Sequence, residues 1–234
     1  TKDVSYKCYL NGILAITANK IELLKKVDKL IWRKSVKNRK YIPGVTGKFV
    51  EFLKLSTDIS ANSEYIYSCI GYLAHEFKDE TSGYIIVLTE QCENPKDGGG
   101  AGKNVFSELF KHITTFAGRP GGQVKFDEKF MQSWNGEKIY CISDVPKHFN
   151  FSFLKELSTG SAIMKKLFKN EVEIPNIEMP KFLIQTNFSY EISDGGLKRR
   201  IKQIEFTDYF SKCGGVDVHF NAHFPKDWND EDWA

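Results

Sequence analysis

The protein has 234 residues, a length typical of one large domain or of one domain with a small appendage. Hydrophobic residues make up 41% of the chain and charged residues 27%, which excludes a disordered, collagen-like or coiled-coil protein. The net charge of +3 is too small to indicate nucleic-acid binding from bulk electrostatics, so any basic surface has to be local.

Apolar segments are short throughout the sequence. The longest purely apolar run, residues 85–88, is far below the ~20 residues of a membrane-spanning helix, and the first residues do not show the basic-then-apolar pattern of a signal peptide. The five cysteines are widely spaced, as expected for free thiols in a reducing compartment. We therefore expect a cytoplasmic protein with no membrane partner. Since the chain begins at Thr1 rather than Met, we expect it to be part of a longer protein.

Two segments with helical periodicity lie in the first part of the chain. Apolar residues recur at helical spacing over residues 20–36, behind the plausible cap Asn19. A second helix is predicted to begin at the cap Ser63 and to end before Thr81. Together they predict an N-terminal helical region over residues 1–80.

The densest basic stretch of the chain, between Lys25 and Lys40, overlaps the first predicted helix. Two interpretations remain open. The stretch is either the solvated face of a helix or a face that follows the phosphates of a nucleic acid.

From residue 81 to residue 234 the pattern changes to short β-rich runs that alternate with helices, which is typical of α/β layer folds. The acidic tail over 227–232 is interleaved with tryptophans and predicts a docked chain end. The predicted strands are 84–88, 138–142, Lys181–Gln185 and 203–206, and the predicted helices are 105–116, ended by Gly118 and Pro120, and 151–157.

The clearest chemical signal is the run DGGGAGKN at residues 97–104, which follows a predicted strand and opens a predicted helix. Consecutive glycines let backbone N–H groups surround a phosphate, the helix N-terminus adds positive potential, and a lysine reaches the terminal phosphates. The alternative is a plain surface turn. The predicted nucleotide-binding residues are Gly98, Gly99, Gly100, Ala101, Gly102, Lys103, Asn104 and Val105.

Polar residues that suit phosphate chemistry follow in order along the chain. Asp144 ends an apolar strand, as the Mg²⁺-holding carboxylate of a P-loop enzyme does, and Asn187 ends another strand, where an amide can orient the attacking water. Arg199 and Arg200 precede the last predicted strand, and one of them could reach the nucleotide of a neighbouring subunit. A solvated basic turn is the alternative for this arginine pair.

The only close histidine pair, His219 and His223, has helical spacing and no third ligand nearby in sequence. Local packing is therefore the favoured interpretation, ahead of a metal site.

This ordered series resembles the superfamily 3 helicase domain, and most closely the primase-helicase proteins of phages, plasmids and other mobile elements of bacteria. The resemblance covers roughly residues 49–233. The motifs that carry it are the Gly-Gly-x-Gly-Lys loop, the strand ending in Ser-Asp-Val, Thr159-Gly160, the PKFLIQTN run at 180–187, the Lys-Arg-Arg-Ile run, the FNF run at 149–151 and the DWNDEDW run at 227–233.

The resemblance implies an AAA+-like ATPase with a three-layer α/β P-loop core and a central, mainly parallel sheet. It further implies a ring, typically a hexamer, that uses ATP and Mg²⁺ to move on single-stranded DNA and to unwind duplex in replication, together with a primase domain or protein.

Carried over position by position, the resemblance assigns catalytic roles to Lys103, Asp144, Asn187 and either Arg199 or Arg200, with Asp144 and Asn104 on the metal side. The segment between Asp144 and Asn187 matches a DNA-facing hairpin region. This match makes Lys165, Lys166 and Lys169 candidates for contact with the DNA backbone, although solvent-facing lysines would look the same.

The sequence departs from the family pattern at three positions. Asp97 replaces the first loop glycine, Asn104 replaces the Mg²⁺-holding hydroxyl residue, and Ser143 leaves Asp144 as the single acid at its strand end. Two alternatives to a helicase therefore stay open: a hydrolysis-deficient, nucleotide-binding DNA scaffold, and a small-molecule phosphotransferase that shares only the P-loop.

Overall fold

A computed structural model describes residues 1–81, 83–92, 98–124, 134–165, 170–188, 190, 192 and 194–233, with side chains at all of these except Lys34 and Lys165. Within these ranges the chain forms sheets of four, five and two strands.

The N-terminal residues form a small sheet with the four strands β1 (Ser5–Tyr9), β2 (Gly12–Ile16), β3 (Ile21–Leu24) and β4 (Val36–Lys37). The strand order is β3-β2-β1-β4, in which β1 and β2 and also β2 and β3 are antiparallel, while β4 runs parallel to β1. We call residues 1–47 the N-terminal module.

The helix predicted over residues 20–36 is wrong, and the region over 1–80 is only partly helical. The reason is a hairpin, in which the backbone of Ile21–Leu24 pairs with residues 13–16 of β2. Thr17 closes the turn, because its Oγ1 accepts a hydrogen bond from the N–H of Lys20 at 3.0 Å. The pairing of β3 with β2 thus outweighs the helical tendency that the spacing of the apolar residues indicates. The domain boundary at residue 80 stays a prediction.

Two helices follow the module, namely α1 (Lys48–Ser56) and α2 (Ile59–Ala74). The second confirms the helix predicted from Ser63, although it begins earlier, at Ile59, and ends at Ala74, well before Thr81. The first was not predicted, because it has only nine residues and directly follows a glycine-rich stretch. Over the residues that the structure describes, no helix combines the length and the apolarity needed to cross a bilayer.

The rest of the chain alternates strands with helices. Its elements are β5 (Ile85–Glu90), α3 (Lys103–Ile113), β6 (Phe116–Pro120), β7 (Ile139–Ser143), α4 (Phe151–Thr159), β8 (Ala162–Lys165), β9 (Glu171–Ile174), β10 (Lys181–Gln185), α5 (Gly195–Arg200), β11 (Ile201–Phe206), α6 (Tyr209–Lys212) and α7 (Val216–Phe220).

Five of these strands form one all-parallel sheet in the order β11-β5-β10-β7-β6. The four predicted strands are confirmed as β5, β7, β10 and β11. Strand β6 was not predicted, because Gly118 and Pro120 are typical of the end of a helix. Both residues are compatible with β6 because it is an edge strand, where a missing N–H donor is tolerated.

The central sheet is covered on both faces, as parallel sheets require. Ile86 and Leu88 of β5 pack into a core with α1, α2 and α3, whereas Ile85 and Val87 face a second core that includes α4. The chain is therefore a mixed α/β protein with a parallel sheet between two helical layers, consistent with a P-loop-like core.

The acidic tail is docked, as predicted. Trp228 and Trp233 are 6% and 5% exposed, and the ring of Trp233 lies 5.9 Å from that of Phe49 in α1. The tail also binds the N-terminal module, since Arg39 donates to the carbonyl of Asp230 at 2.7 Å.

Candidate nucleotide-binding site

The glycine-rich loop lies where the sequence places it, between the carboxyl end of β5 and the first residue of α3. Gly102 has a φ of 97°, and a Cβ at this position would come within 2.5 Å of Cε2 of Phe52. Only glycine satisfies both the left-handed backbone and this close approach. The loop therefore presents its backbone to a ligand at the positive end of the α3 dipole.

A cleft of about 390 Å³ opens at the loop, at the carboxyl edge of the parallel sheet. Ligands of open α/β sheets bind at this edge. The cleft brings the whole predicted loop together with Asp144 and Asn187, which are 43 residues apart in sequence. Its lining residues are Gly98, Gly99, Gly100, Ala101, Gly102, Lys103, Asn104, Val105, Asp144, Gln185, Asn187, Gly214, Gly215, Val216, Asp217 and Phe224.

Asp144 follows the last residue of β7 and is exposed in the cleft. Its φ of 51° is left-handed, a conformation that aspartate tolerates better than most residues. The backbone of the next residue, Val145, is fixed by a hydrogen bond, in which its N–H donates to the carbonyl of Gln185 at 3.0 Å. Backbone of this kind is common at functional sites, and here it places a carboxylate beside the glycine loop.

Lys103 is held by two polar side chains. Its Nζ lies 2.5 Å from Oε2 of Glu90 and 2.7 Å from Oδ1 of Asn187, and the residue is only 8% exposed. Asn187 thus contacts the loop lysine, a role that sequence reasoning had not assigned to it.

Glu90 is the functional candidate that sequence reasoning missed. It ends β5, its side chain is 2% exposed, and its Oε1 is buried without a hydrogen-bond partner among the described residues. A Cβ at Gly98 would collide with this oxygen, so the carboxylate lies directly beneath the loop. The rule that identified Asp144, a carboxylate at the end of an apolar strand, would have found Glu90 had the predicted strand extended to residue 90.

Arg199 and Arg200 lie at the opposite edge of the sheet from the cleft. They end α5 immediately before β11, whose first residue pairs with the first residue of β5. Arg199 is exposed, whereas Nη1 of Arg200 donates to the carbonyl of Gly196 on the same helix at 3.0 Å. Within one chain, neither arginine joins the cleft.

The donor set for a magnesium ion is small but suitable. The carboxylate of Asp144 and the amide of Asn104 are both exposed in the cleft, and Mg²⁺ is usually held by one or two protein oxygens together with phosphate oxygens and waters. Ser143 and Asn104 also line a neighbouring groove. Across the described ranges, no three His, Cys, Asp or Glu residues cluster as a dedicated metal site.

The two histidines do not share a helix, because α7 ends at Phe220. The ring of His219 lies 5.4 Å from that of Phe210, and Nδ1 of His223 lies 3.3 Å from Oδ2 of Asp217.

The segment between Asp144 and Asn187 contains an antiparallel hairpin, β8–β9, in which the backbone of Lys165 pairs with Glu171. Lys166 and Lys169 lie outside the described residues, as does Asp97. The DNA-contact assignment of the three lysines stays a prediction.

No protein-family model and no curated protein sequence matches the chain. Among solved structures, two A-form apo structures of the NrS-1 C-terminal region match with TM-scores of 0.55 and 0.54, at 13% and 16% sequence identity. These matches cover 99% and 100% of this chain. JC virus helicase with a bound phenoxyphenyl acetamide ligand gives a TM-score of 0.37 at 12% identity, over 60% of this chain and 42% of that chain.

The JC virus match is too distant to support an argument. The chain spans 66% of the length of the NrS-1 region, and at 13–16% identity this likeness concerns the fold alone. The chain shares the fold of the NrS-1 C-terminal region.

Proposed function

We propose that the chain is the ATP-hydrolysing motor domain of a superfamily 3 type DNA helicase that acts in the replication of a phage or other mobile element. The observation that carries this proposal is the cleft at the carboxyl edge of the sheet, where the glycine loop, Lys103, Asp144 and Asn187 come together. In this proposal the primase belongs to the rest of a longer protein or to a separate partner.

The residues of the cleft suit the phosphates of ATP. Backbone N–H groups of the loop and the N-terminus of α3 bind phosphate oxygens, and Lys103 adds a positive charge. Asp144, with the amide oxygen of Asn104, would hold Mg²⁺, which neutralises charge that develops on the phosphates. Asn187 has both an amide donor and an acceptor for the attacking water.

Glu90 opposes this use of Lys103. In the structure the lysine is paired with a buried carboxylate, and a phosphate has to compete with that pair. In this proposal the ion pair between Glu90 and Lys103 has to break before the lysine can contact a phosphate. We call this pair the latch.

Replacing Glu90 with glutamine (Glu90→Gln) is expected to tighten nucleotide binding roughly tenfold, because it removes a charge-assisted hydrogen bond that holds Lys103. Titration of a fluorescent ATP analogue measures the dissociation constant. The matched control is Glu64→Gln, at an exposed position of α2. Weaker binding by Glu90→Gln with intact folding would contradict the latch.

Arg199→Ala is expected to leave nucleotide affinity unchanged and to lower ATP turnover by about a thousandfold, because a guanidinium from one subunit stabilises the transition state on the next. Arg200→Ala is the matched comparison, since its guanidinium is engaged on its own helix. Steady-state turnover and analogue binding separate the two effects. Loss of binding in Arg199→Ala, or loss of turnover only in Arg200→Ala, would reject Arg199 as the arginine finger.

The experiment that tests the proposed function is Mg²⁺-dependent ATP hydrolysis with and without single-stranded DNA, with the oligomeric state measured by analytical ultracentrifugation under the same conditions. Turnover that DNA stimulates in an oligomer supports a motor. Turnover by a monomer that DNA does not affect would contradict it.

A second candidate function is a nucleotide-binding DNA scaffold without hydrolysis. The observation that favours it is the reduced metal side of the cleft, where Asn104 replaces a hydroxyl residue and Asp144 is the single acid at the end of β7. Ring assembly with nucleotide binding but no turnover would select this candidate.

A further inference from the structure

Charge is distributed unequally along the chain. The N-terminal module, residues 1–47, has eleven Lys and Arg against three Asp and Glu, a net charge of +8. The other 187 residues have 22 basic and 27 acidic side chains, a net charge of −5. The near-neutral total therefore conceals one strongly basic module.

Part of this charge is used inside the protein. Lys7 is 4% exposed and pairs with Glu76 at 2.9 Å. Lys37 donates to the carbonyls of Lys111 and Thr114 at the end of α3. These basic side chains attach the module to the core and are not available to a ligand.

A second set of basic side chains is exposed and unneutralised. Lys25, Lys26, Lys29 and Arg33 all lie on the surface, and none of them forms an ion pair with a described acidic side chain. Asp28 is the one acidic residue of this stretch and is also exposed, so residues 25–33 carry four basic side chains against one acidic. Such an excess of surface charge of one sign attracts a ligand of the opposite charge.

The same stretch exposes a large aromatic ring. Trp32 is 72% exposed, whereas the other three tryptophans of the chain are 4–6% exposed. Leu30 beside it is 98% exposed, and Nζ of Lys29 lies 4.9 Å from the centre of the Tyr6 ring. A cleft of about 170 Å³ beside Trp32 is lined by Tyr6, Lys29 and Leu30 among others. Exposed aromatic rings among basic side chains are the arrangement on which unpaired bases stack.

The location of this stretch also suits a nucleic-acid strand. The module contacts Glu76, which lies between α2 and β5, and Thr114, which lies between α3 and β6. Both contacts are at the amino edge of the central sheet, opposite the nucleotide cleft. The β8–β9 hairpin connects α4 to β10, whose first residue is at this same edge.

We propose that residues 25–33 form a platform for single-stranded DNA, in which Lys25, Lys26, Lys29 and Arg33 contact phosphates and Trp32 stacks on a base. The platform is additional to the hairpin lysines and needs no nucleoside triphosphate. It therefore goes beyond the proposed ATPase and can be tested separately from it.

The test uses the full chain and a fluorescein-labelled oligothymidylate of about 20 nucleotides, longer than the sites of most single-strand-binding folds. Fluorescence anisotropy measures the dissociation constant over a range of salt concentrations, without ATP. The Lys25→Ala/Lys26→Ala/Arg33→Ala variant is expected to bind about tenfold more weakly at low salt and to lower the slope of log affinity against log salt by about 2, because three phosphate contacts are lost.

The stacking contact has its own readout. Trp32→Ala is expected to weaken binding roughly tenfold while leaving the salt slope unchanged. In the wild type, oligothymidylate is expected to quench tryptophan emission and to protect it from iodide. This change is assigned to Trp32, since the other three tryptophans are buried.

The control variant, Lys54→Ala/Lys147→Ala/Lys226→Ala, removes three exposed lysines outside the module and lowers the net charge equally. Thermal unfolding of every variant checks its folding. An equal loss of binding in this control, unchanged binding in both platform variants, or complete loss in Lys166→Ala/Lys169→Ala alone overturns the proposal. Failure of the ATP-hydrolysis test does not affect this result, because no nucleotide is present.

Discussion

Lys103→Ala is expected to lower Mg²⁺-dependent ATP turnover by on the order of a hundredfold to a thousandfold, the cost of removing a positive group that stabilises charge in a transition state. The lysine opens α3, lines the cleft and is the only basic side chain among the cleft residues. Nucleotide affinity should fall as well, since the same charge contacts the bound phosphates. Steady-state hydrolysis and analogue titration measure the two effects.

The control is Lys111→Ala, which removes an exposed lysine from the last turn of the same helix. Lys103→Ala also leaves the buried Glu90 without its ion pair, which is itself destabilising. The Lys103→Met/Glu90→Gln variant removes both charges at similar volume and keeps the prediction testable if the single variant fails to fold. Turnover at the wild-type rate in either folded variant would reject the assignment of the cleft.

Phe52→Ala is expected to lower the free energy of unfolding by about 3–5 kcal/mol, the usual cost of truncating a buried phenylalanine. The ring is fully buried in α1, with its centre 5.4 Å from that of Phe210 and 6.3 Å from that of Phe206. It also lies directly against Gly102 of the glycine loop. Urea denaturation measures the change in stability, and nucleotide affinity should fall in parallel as the loop loses its support.

Tyr67→Ala provides the comparison, because Tyr67 is 50% exposed on α2. Substitutions at such sites usually change stability by less than about 0.5 kcal/mol. Phe52→Leu retains most of the volume and should lie between the two. A loss below about 1 kcal/mol for Phe52→Ala would show that the core closes around the gap and that α1 does not support the loop.

The core of the fold is predictable from sequence for a physical reason. Strands β5, β7 and β10 are buried on both faces of a parallel sheet, so they are continuous apolar runs with sharp ends. Because the ends of these apolar runs are sharp, the loop after β5 and the polar residues after β7 and β10 can also be recognised in the sequence. Parallel strands bring their carboxyl ends to one edge, so the sequence order also predicts the meeting of Asp144 and Asn187 with the loop.

The strands of the N-terminal module are not predictable from the sequence, because they have five residues or fewer. They form through pairing with neighbouring strands and show no clear local pattern. Edge strand β6 is not predictable because its Gly and Pro resemble a helix stop. The contact between Glu90 and Lys103 is not predictable because it forms between side chains 13 residues apart across a loop. Burial and distance, which no single-sequence pattern contains, identify that pair.

Helix α3 connects the nucleotide cleft to the N-terminal module. Its first residue is the lysine of the nucleotide cleft. Near its other end, about 12 Å along the axis, the side chain of Lys37 in the N-terminal module donates to the carbonyl of Lys111 in the last turn and to that of Thr114, which directly follows the helix. A lysine ammonium group at the C-terminal end of a helix interacts favourably with the negative end of the helix dipole. Because Lys37 follows Trp32 by five residues, the helix that begins at the nucleotide cleft also anchors the end of the segment that exposes Trp32.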